Sequence, residues 1–328
     1  MRRTMRIVIC CDVDPDVLGY DIPASRFDAP KAELSWRGVE ENASKAREIC
    51  DLVEDSQSKT AKITWFVRSD EQMKIIFEDF AYPLRRFRDL WKKFKLRGDE
   101  IGWHPHLWRW SDQKQCWYQE ISDTEWISYC LEEGHKEFPK LAMDLASVKA
   151  GWSFHNNFTM RKVNDLGLMV DVSALPGLRH RGGRDERGSY FVNEYDWSIT
   201  PDKPYFPSEK DFRRPTMGNE EKSLRILELP VTVIPKSLGR IRGAYVANVT
   251  STDFQYLAEK KFRESEKSNG ILVAFFHPID LFKPKANTNF KNNLKTLTRL
   301  SRSLKTPFAF LTAREMAKEF LGRSRSLE

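Results

Sequence analysis

Arg6-Ile-Val-Ile-Cys-Cys-Asp-Val-Asp14 runs apolar without alternation and then turns acidic. A strand with one wet face alternates apolar and polar residues, whereas one covered on both faces reads as an unbroken hydrophobic run, so this stretch predicts a central strand of a parallel sheet. Pro15 has no N–H to offer a ladder and ends it. Asp12 and Asp14 then stand together on one face, at the carboxyl end where parallel sheets open their ligand sites.

The same pattern recurs down the chain. Residues 61–67, 100–106, 147–150, 168–172, 224–233, 271–277 and 307–311 read as further strands, and 39–53, 73–96, 124–145, 158–166, 252–268, 290–304 and 312–321 as the helices between them. Pro83 and Pro139 mark expected breaks, Ser122 or Asp123 a cap, and Gly167 a stop. Thr312 with Glu315 forms a capping box. Strand and helix alternate with no antiparallel hairpin signature outside residues 173–223, a polar segment too long for a connecting turn. The fold class is therefore α/β, and a (β/α) barrel of seven or eight mostly parallel strands is the simplest closure. A doubly wound open sheet competes, but no strand is followed by a glycine-rich phosphate loop. The expected organisation is one domain over 1–328, with an inserted loop or hairpin at about 173–223 and an irregular loop over the pocket at 16–35.

Composition bounds the function. The chain has 328 residues, 40% of them hydrophobic, and a formal charge of +7. Basic residues are interleaved with acids, so the excess charge reads as a solvated surface, and no nucleic-acid motif is present to make a partner of DNA or RNA. No transmembrane segment is expected, because the apolar run behind Arg2, Arg3 and Arg6 is too short for a secretory core or a membrane span; a cytoplasmic protein is the reading. Five cysteines lack metal-ligand spacing and read as reduced core thiols.

The second decisive stretch is Glu100-Ile-Gly-Trp-His-Pro-His-Leu-Trp-Arg-Trp110. His104 and His106 lie two apart at the end of an expected strand and can aim at one point. Two neutral imidazoles suit a zinc-like divalent ion that takes a third protein ligand and keeps one position open. Polar residues at the other strand ends share that face: Asp12 and Asp14, Lys149, Asp171 and His277. One acid can complete the metal site while the other accepts a proton from water. Plainer readings stand beside these. Asp16 and Asp171 equally suit turn caps, and His135, His155 and His180 suit structural hydrogen bonds. Trp103, Trp108, Trp110, Trp152 and Trp197 could stack on sugar rings or simply pack. Arg179, Arg181 and Arg184 could hold an anionic group or merely be solvated.

Taken in order, Asp12-Val-Asp14, Glu100-Ile-Gly-Trp-His-Pro-His106, Lys149-Ala-Gly-Trp-Ser-Phe-His-Asn-Asn157, Leu166-Gly-Leu-Met-Val-Asp171 and Phe275-Phe-His-Pro278 resemble the motifs of the polysaccharide deacetylase family, the NodB-homology or carbohydrate esterase 4 group. The resemblance implies a distorted (β/α) barrel and metal-dependent removal of an acyl group, usually acetyl from an N-acetylated sugar. It implies Asp12 as general base, His277 as general acid, and Asp14, His104 and His106 as ligands of a divalent metal, Zn2+ foremost. Three departures stand out. Val13 separates the two acids, Trp108 occupies the position four beyond His104 where a histidine is usual, and Lys149 replaces an arginine, exchanging a planar fork for a point charge. Lys149, Trp103, Trp108, Trp152, Asp171 and Trp197 are the expected substrate-side residues. The partner is an N-acylated sugar or glycan precursor, nucleotide- or lipid-linked if the protein is cytoplasmic. Two rivals remain: a metal-dependent amidohydrolase of a non-sugar amide, and an inactive barrel that only binds a glycan.

Overall fold

The computed structural model describes residues 4–16, 34–113, 116–181, 194–218, 221–238, 241–265 and 269–324. The opening run forms β1 (Met5–Val13), buried along almost its whole length. After a wide helical turn at Val39–Ala43 come α1 (Ser44–Asp51) and β2 (Thr64–Arg68). The expected helix over 73–96 is three short ones, α2 (Glu71–Phe77), α3 (Tyr82–Arg86) and α4 (Arg88–Leu96). Pro83 does not break it from within. The first helix ends at Glu78, which turns left-handed at φ 60°, and Pro83 sits in the first turn of the next, where its missing N–H costs nothing.

β3 (Glu100–His104), β4 (Trp108–Ser111) and β5 (Cys116–Gln119) follow, then α5 (Thr124–Lys140), capped by Asp123. β6 (Ser147–Val148), α6 (Asn157–Asp165) and β7 (Val170–Asp171) continue the alternation. The long polar segment contributes the small pair β8 (Arg179–His180) and β9 (Tyr195–Asp196). Then come β10 (Leu227–Glu228), β11 (Val233–Leu238), β12 (Ile241–Val246), α7 (Phe254–Ser265), β13 (Ile271–Phe276), α8 (Pro284–Ser303), β14 (Phe308–Leu311) and α9 (Ala313–Ser324). Two antiparallel hairpins, β4 with β5 and β11 with β12, lie outside 173–223 and correct the expectation that none would.

The main sheet runs β10-β7-β6-β3-β2-β1-β13, every ladder parallel, with β14 also on β1. Its ends meet without a full ladder. Thr232 donates its N–H to the Val273 carbonyl at 2.9 Å and accepts the Val273 N–H on Oγ1 at 3.0 Å, and Val249 donates to Phe275. The result is a curled, mostly parallel sheet, a distorted (β/α) barrel as expected.

Strand alternation sorts two hydrophobic layers. Val8, Cys10, Phe66, Val170, Val172, Leu227, Leu229 and Val273 form the inner cluster, closed by Ala313, Met316 and Ala317 of α9. Ile7, Ile9, Cys11, Trp65, Ile101, Trp103 and Phe276 face the outer helices in the larger cluster. A side chain in step with Val8 and Cys10 on β1 therefore points into the barrel, and Asp12 is next in that row.

Candidate active site

The inward rows end in polar groups at one mouth. Asp12 and Asp14 come from β1, Arg68 from β2, His104 from β3, Lys149 from just beyond β6, and His277 from just beyond β13. Asp12, Asp14, His104, His106 and Lys149 are all buried. His106 lies two residues past the strand, so the shared-face argument does not place it. It is placed by the turn after Pro105, where its N–H donates to Asp70 Oδ2 at 3.3 Å and its ring lies against Gly151. A Cβ on Gly151 would come within 2.2 Å of His106 Cδ2, so only glycine leaves room for the ring.

Three groups converge. His104 Nε2 lies 3.3 Å from Asp14 Oδ2, His106 Nε2 3.3 Å from Asp14 Oδ1, and the two Nε2 atoms are 3.1 Å apart. Metal–ligand bonds near 2.0–2.1 Å in a tetrahedral site put neighbouring ligands roughly 3.3 Å apart. Among the described residues this is the one cluster with metal-holding spacing, and by that spacing and its carboxylate–imidazole chemistry it fits a divalent ion. His104 has the outer support such ligands use: its Nδ1–H donates to the Lys149 carbonyl at 2.5 Å, leaving Nε2 bare. Burial works against ionisation of Asp14, but His104 and His106 outweigh it and hold the carboxyl well below its usual value. Burial and the neighbouring Arg68 push His106 down to about 4, so its ring is neutral at pH 7.

Beside this cluster lies a second one. Lys149 Nζ is ion-paired with Asp12 Oδ2, and His277 Nε2 lies 3.8 Å from the same oxygen. Asp12 Oδ1 is buried with no hydrogen-bond partner in the protein. Burial alone would raise the Asp12 carboxyl, but Lys149, His104 and His277 override it and keep it below the ordinary value, hence anionic at neutral pH. His277 is pushed down by burial yet raised overall by Asp280 and Asp12. Asp280 Oδ2 accepts the His277 N–H at 3.0 Å and lies 3.5 Å from Nδ1.

Sequence reasoning missed two of these neighbours, Arg68 and Asp280. Arg68 donates to Asp70 and Gln72 and lies 3.5 Å from Asp14 Oδ1. It is in step with Thr64 and Phe66, and ending the strand at residue 67 hid it. Asp280, three beyond His277, was visible only as a turn residue.

Of the other expected substrate-side residues, Trp103, Asp171 and Trp197 lie elsewhere, while Trp108 and Trp152 stay beside His106. Trp103 alternates with His104, so it faces outward, fully buried against Phe138, with its indole N–H on the Ser69 carbonyl. Asp171 is out of step with inward Val170 and Val172. It is wholly buried, accepts a hydrogen bond from Ser173 and lies 3.4 Å from His155 Nε2, a structural cluster and no part of the mouth. Trp197 is also fully buried, its N–H on the Ser153 carbonyl and its ring edge-on to Phe212. Trp108 is buried and its N–H is spent on His106. Trp152 alone of these tryptophans presents a face, at 38% exposure, edge-on to Trp108. Its φ of 56° and that of Ser153, 57°, are left-handed, and such strain persists where surroundings enforce it. Arg179 and Arg181 are exposed, and Arg184 lies outside the described residues. A cavity of about 390 Å³ lined by His155, Asn157, Tyr195, Lys210 and Arg213 is separate from the acid–imidazole mouth.

No protein-family model and no curated protein sequence matches the chain. Solved structures do. A protein assigned as a polysaccharide deacetylase from Mycobacterium smegmatis is 13% identical over 99% of this chain and 92% of its own, at TM-score 0.53. One assigned as a glycoside hydrolase/deacetylase from Parabacteroides distasonis is 13% identical over 96% of this chain and 71% of its own, at TM-score 0.59. Puue allantoinase is 12% identical over 96% and 90%, at TM-score 0.53. At these identities the likeness establishes the fold alone, a distorted (β/α) barrel.

Proposed function

We propose that the protein is a divalent-metal-dependent hydrolase that removes an N-acyl group, in the first instance acetyl, from a sugar or a nucleotide- or lipid-linked glycan precursor. One observation carries the reading: an anionic carboxylate, Asp12, lies within 3.8 Å of a histidine of raised pKa, His277, beside the cluster Asp14, His104 and His106. Asp14, His104 and His106 would hold the ion, which when bound supplies a Lewis acid for the acyl oxygen and acidifies water.

The rest of the chemistry belongs to the chain. Lys149, on Oδ2, keeps Asp12 ionised and fixed, so its carboxylate takes the proton of the attacking water, Oδ1 being the oxygen left without a partner. His277, oriented by Asp280, delivers a proton to the departing amine. Trp152 offers its open face to the sugar ring. The intact set of base, acid and ligands speaks against a barrel that only binds a glycan.

Puue allantoinase takes its name from a non-sugar amide, and the same barrel could turn the same groups on such a substrate. The deciding experiment is a Zn2+-replete screen of N-acetylated sugars, their nucleotide-linked forms and non-sugar amides. Acetate release confined to the sugars is expected; hydrolysis confined to the non-sugar amides would overturn the sugar assignment.

A further inference from the structure

Proton positions distinguish the two histidines of the metal-holding cluster. An indole Nε1 can only donate, and that of Trp108 lies 2.8 Å from His106 Nδ1, so Nδ1 must offer its lone pair. A neutral imidazole with a bare Nδ1 carries its hydrogen on Nε2. That atom faces Asp14 Oδ1 at 3.3 Å and the bare Nε2 of His104 at 3.1 Å, both acceptors. The hydrogen bonds from Trp108 to His106, from His106 into the cluster and from His104 to the Lys149 carbonyl are therefore mutually consistent. His104 is preset as a ligand, and His106 is preset as a donor.

Neither ring can easily turn away. Trp108 is buried, near-parallel to the His106 ring at 16° and 6.2 Å, and held in the β4–β5 ladder opposite Gln119. The His106 backbone N–H is held by Asp70 Oδ2, and its ring is hemmed in by Gly151. An ion taken on His106 Nε2 would shift the hydrogen to Nδ1, where it would meet the Trp108 N–H across 2.8 Å, donor against donor.

We propose that Trp108 sets the cation affinity of the Asp14–His104–His106 site, its indole N–H holding His106 in the tautomer that must be given up when an ion binds. The inference deepens the proposed function by naming the residue that tunes its ion site. It is tested without turnover, so failure of the deacetylase reading leaves it standing or falling by itself.

Long-range 15N–1H NMR of the metal-free wild-type protein reads the tautomer directly. His106 should carry its hydrogen on Nε2 and His104 on Nδ1. Zn2+ alone is then titrated against a chromophoric chelator into wild type and Trp108→Phe, which keeps a ring and removes the donor. The variant should bind Zn2+ about tenfold or more tighter, the scale on which outer-shell partners act. A hydrogen on His106 Nδ1 in the wild type would overturn the proposal, as would a variant that binds Zn2+ no more tightly. The NMR reading decides the matter even if the variant fails to fold.

Discussion

Replacing Lys149 by Met removes the ammonium that pairs with Asp12 and leaves a hydrocarbon stem of similar length. Both side chains are deeply buried, at 7% and 5% exposure. The carboxylate left behind has one oxygen already without a partner and the other with only His277, 3.8 Å away. Breaking a buried ion pair by removing one member costs about 3–5 kcal/mol. Net stabilities run to about 5–15 kcal/mol, so the loss is a large share of the total.

The sign with pH follows from the two states. In the wild type the depressed Asp12 carboxyl adds stability above its unfolded value, and that is lost as pH falls through the folded value. In the variant burial dominates and the carboxyl rises above its unfolded value, so Asp12 destabilises at neutral pH and is relieved on acidification. The gap between Lys149→Met and wild type should be widest near pH 7 and narrow toward about pH 4. Adding Asp12→Asn should restore most of the loss, since no charge is then stranded. Urea unfolding of wild type, both single variants and the double, followed by tryptophan fluorescence at both pH values, measures it. A loss below about 1 kcal/mol at pH 7, as for an exposed pair, or no recovery in the double variant, would refute the reasoning.

Asp280→Asn keeps an acceptor for the His277 N–H but removes the charge that, with Asp12 and Asp14, raises His277. The alkaline limb of the kcat–pH profile should move to lower pH, and an unmoved limb would separate Asp280 from the acid. Gly151→Ala drives a methyl into the His106 ring and should weaken Zn2+ binding at least tenfold in a chelator competition, while far-UV circular dichroism stays native. Trp152→Ala removes the exposed platform and should raise KM for an N-acetylated sugar with Tm nearly unchanged; an unchanged KM would relegate Trp152 to packing.

The sheet was legible because hydrophobic runs such as 6–11 and 271–276 are long and buried on both faces, and that periodicity needs no tertiary information. The β4–β5 hairpin is hard to read because its strands are only four residues each, Trp108–Ser111 and Cys116–Gln119, too short for their alternation to stand out. At the site, Asp12, Asp14 and His104 could be read from strand ends, and the same alternation, applied to their neighbours, sends Trp103 and Asp171 to the far face. Arg68 was one residue beyond an expected boundary. The Trp108–His106 hydrogen bond depends on a turn whose geometry no pattern of residues states.

The central claim assigns different work to two acids on one strand, and Asp12→Asn and Asp14→Asn measured side by side test it most directly. Each variant is titrated with Zn2+ and assayed for acetate release from an N-acetylated sugar. Asp12→Asn should bind Zn2+ as the wild type does and release no acetate, whereas Asp14→Asn should lose both. Loss of Zn2+ binding in Asp12→Asn, or full turnover in either variant, would contradict the account.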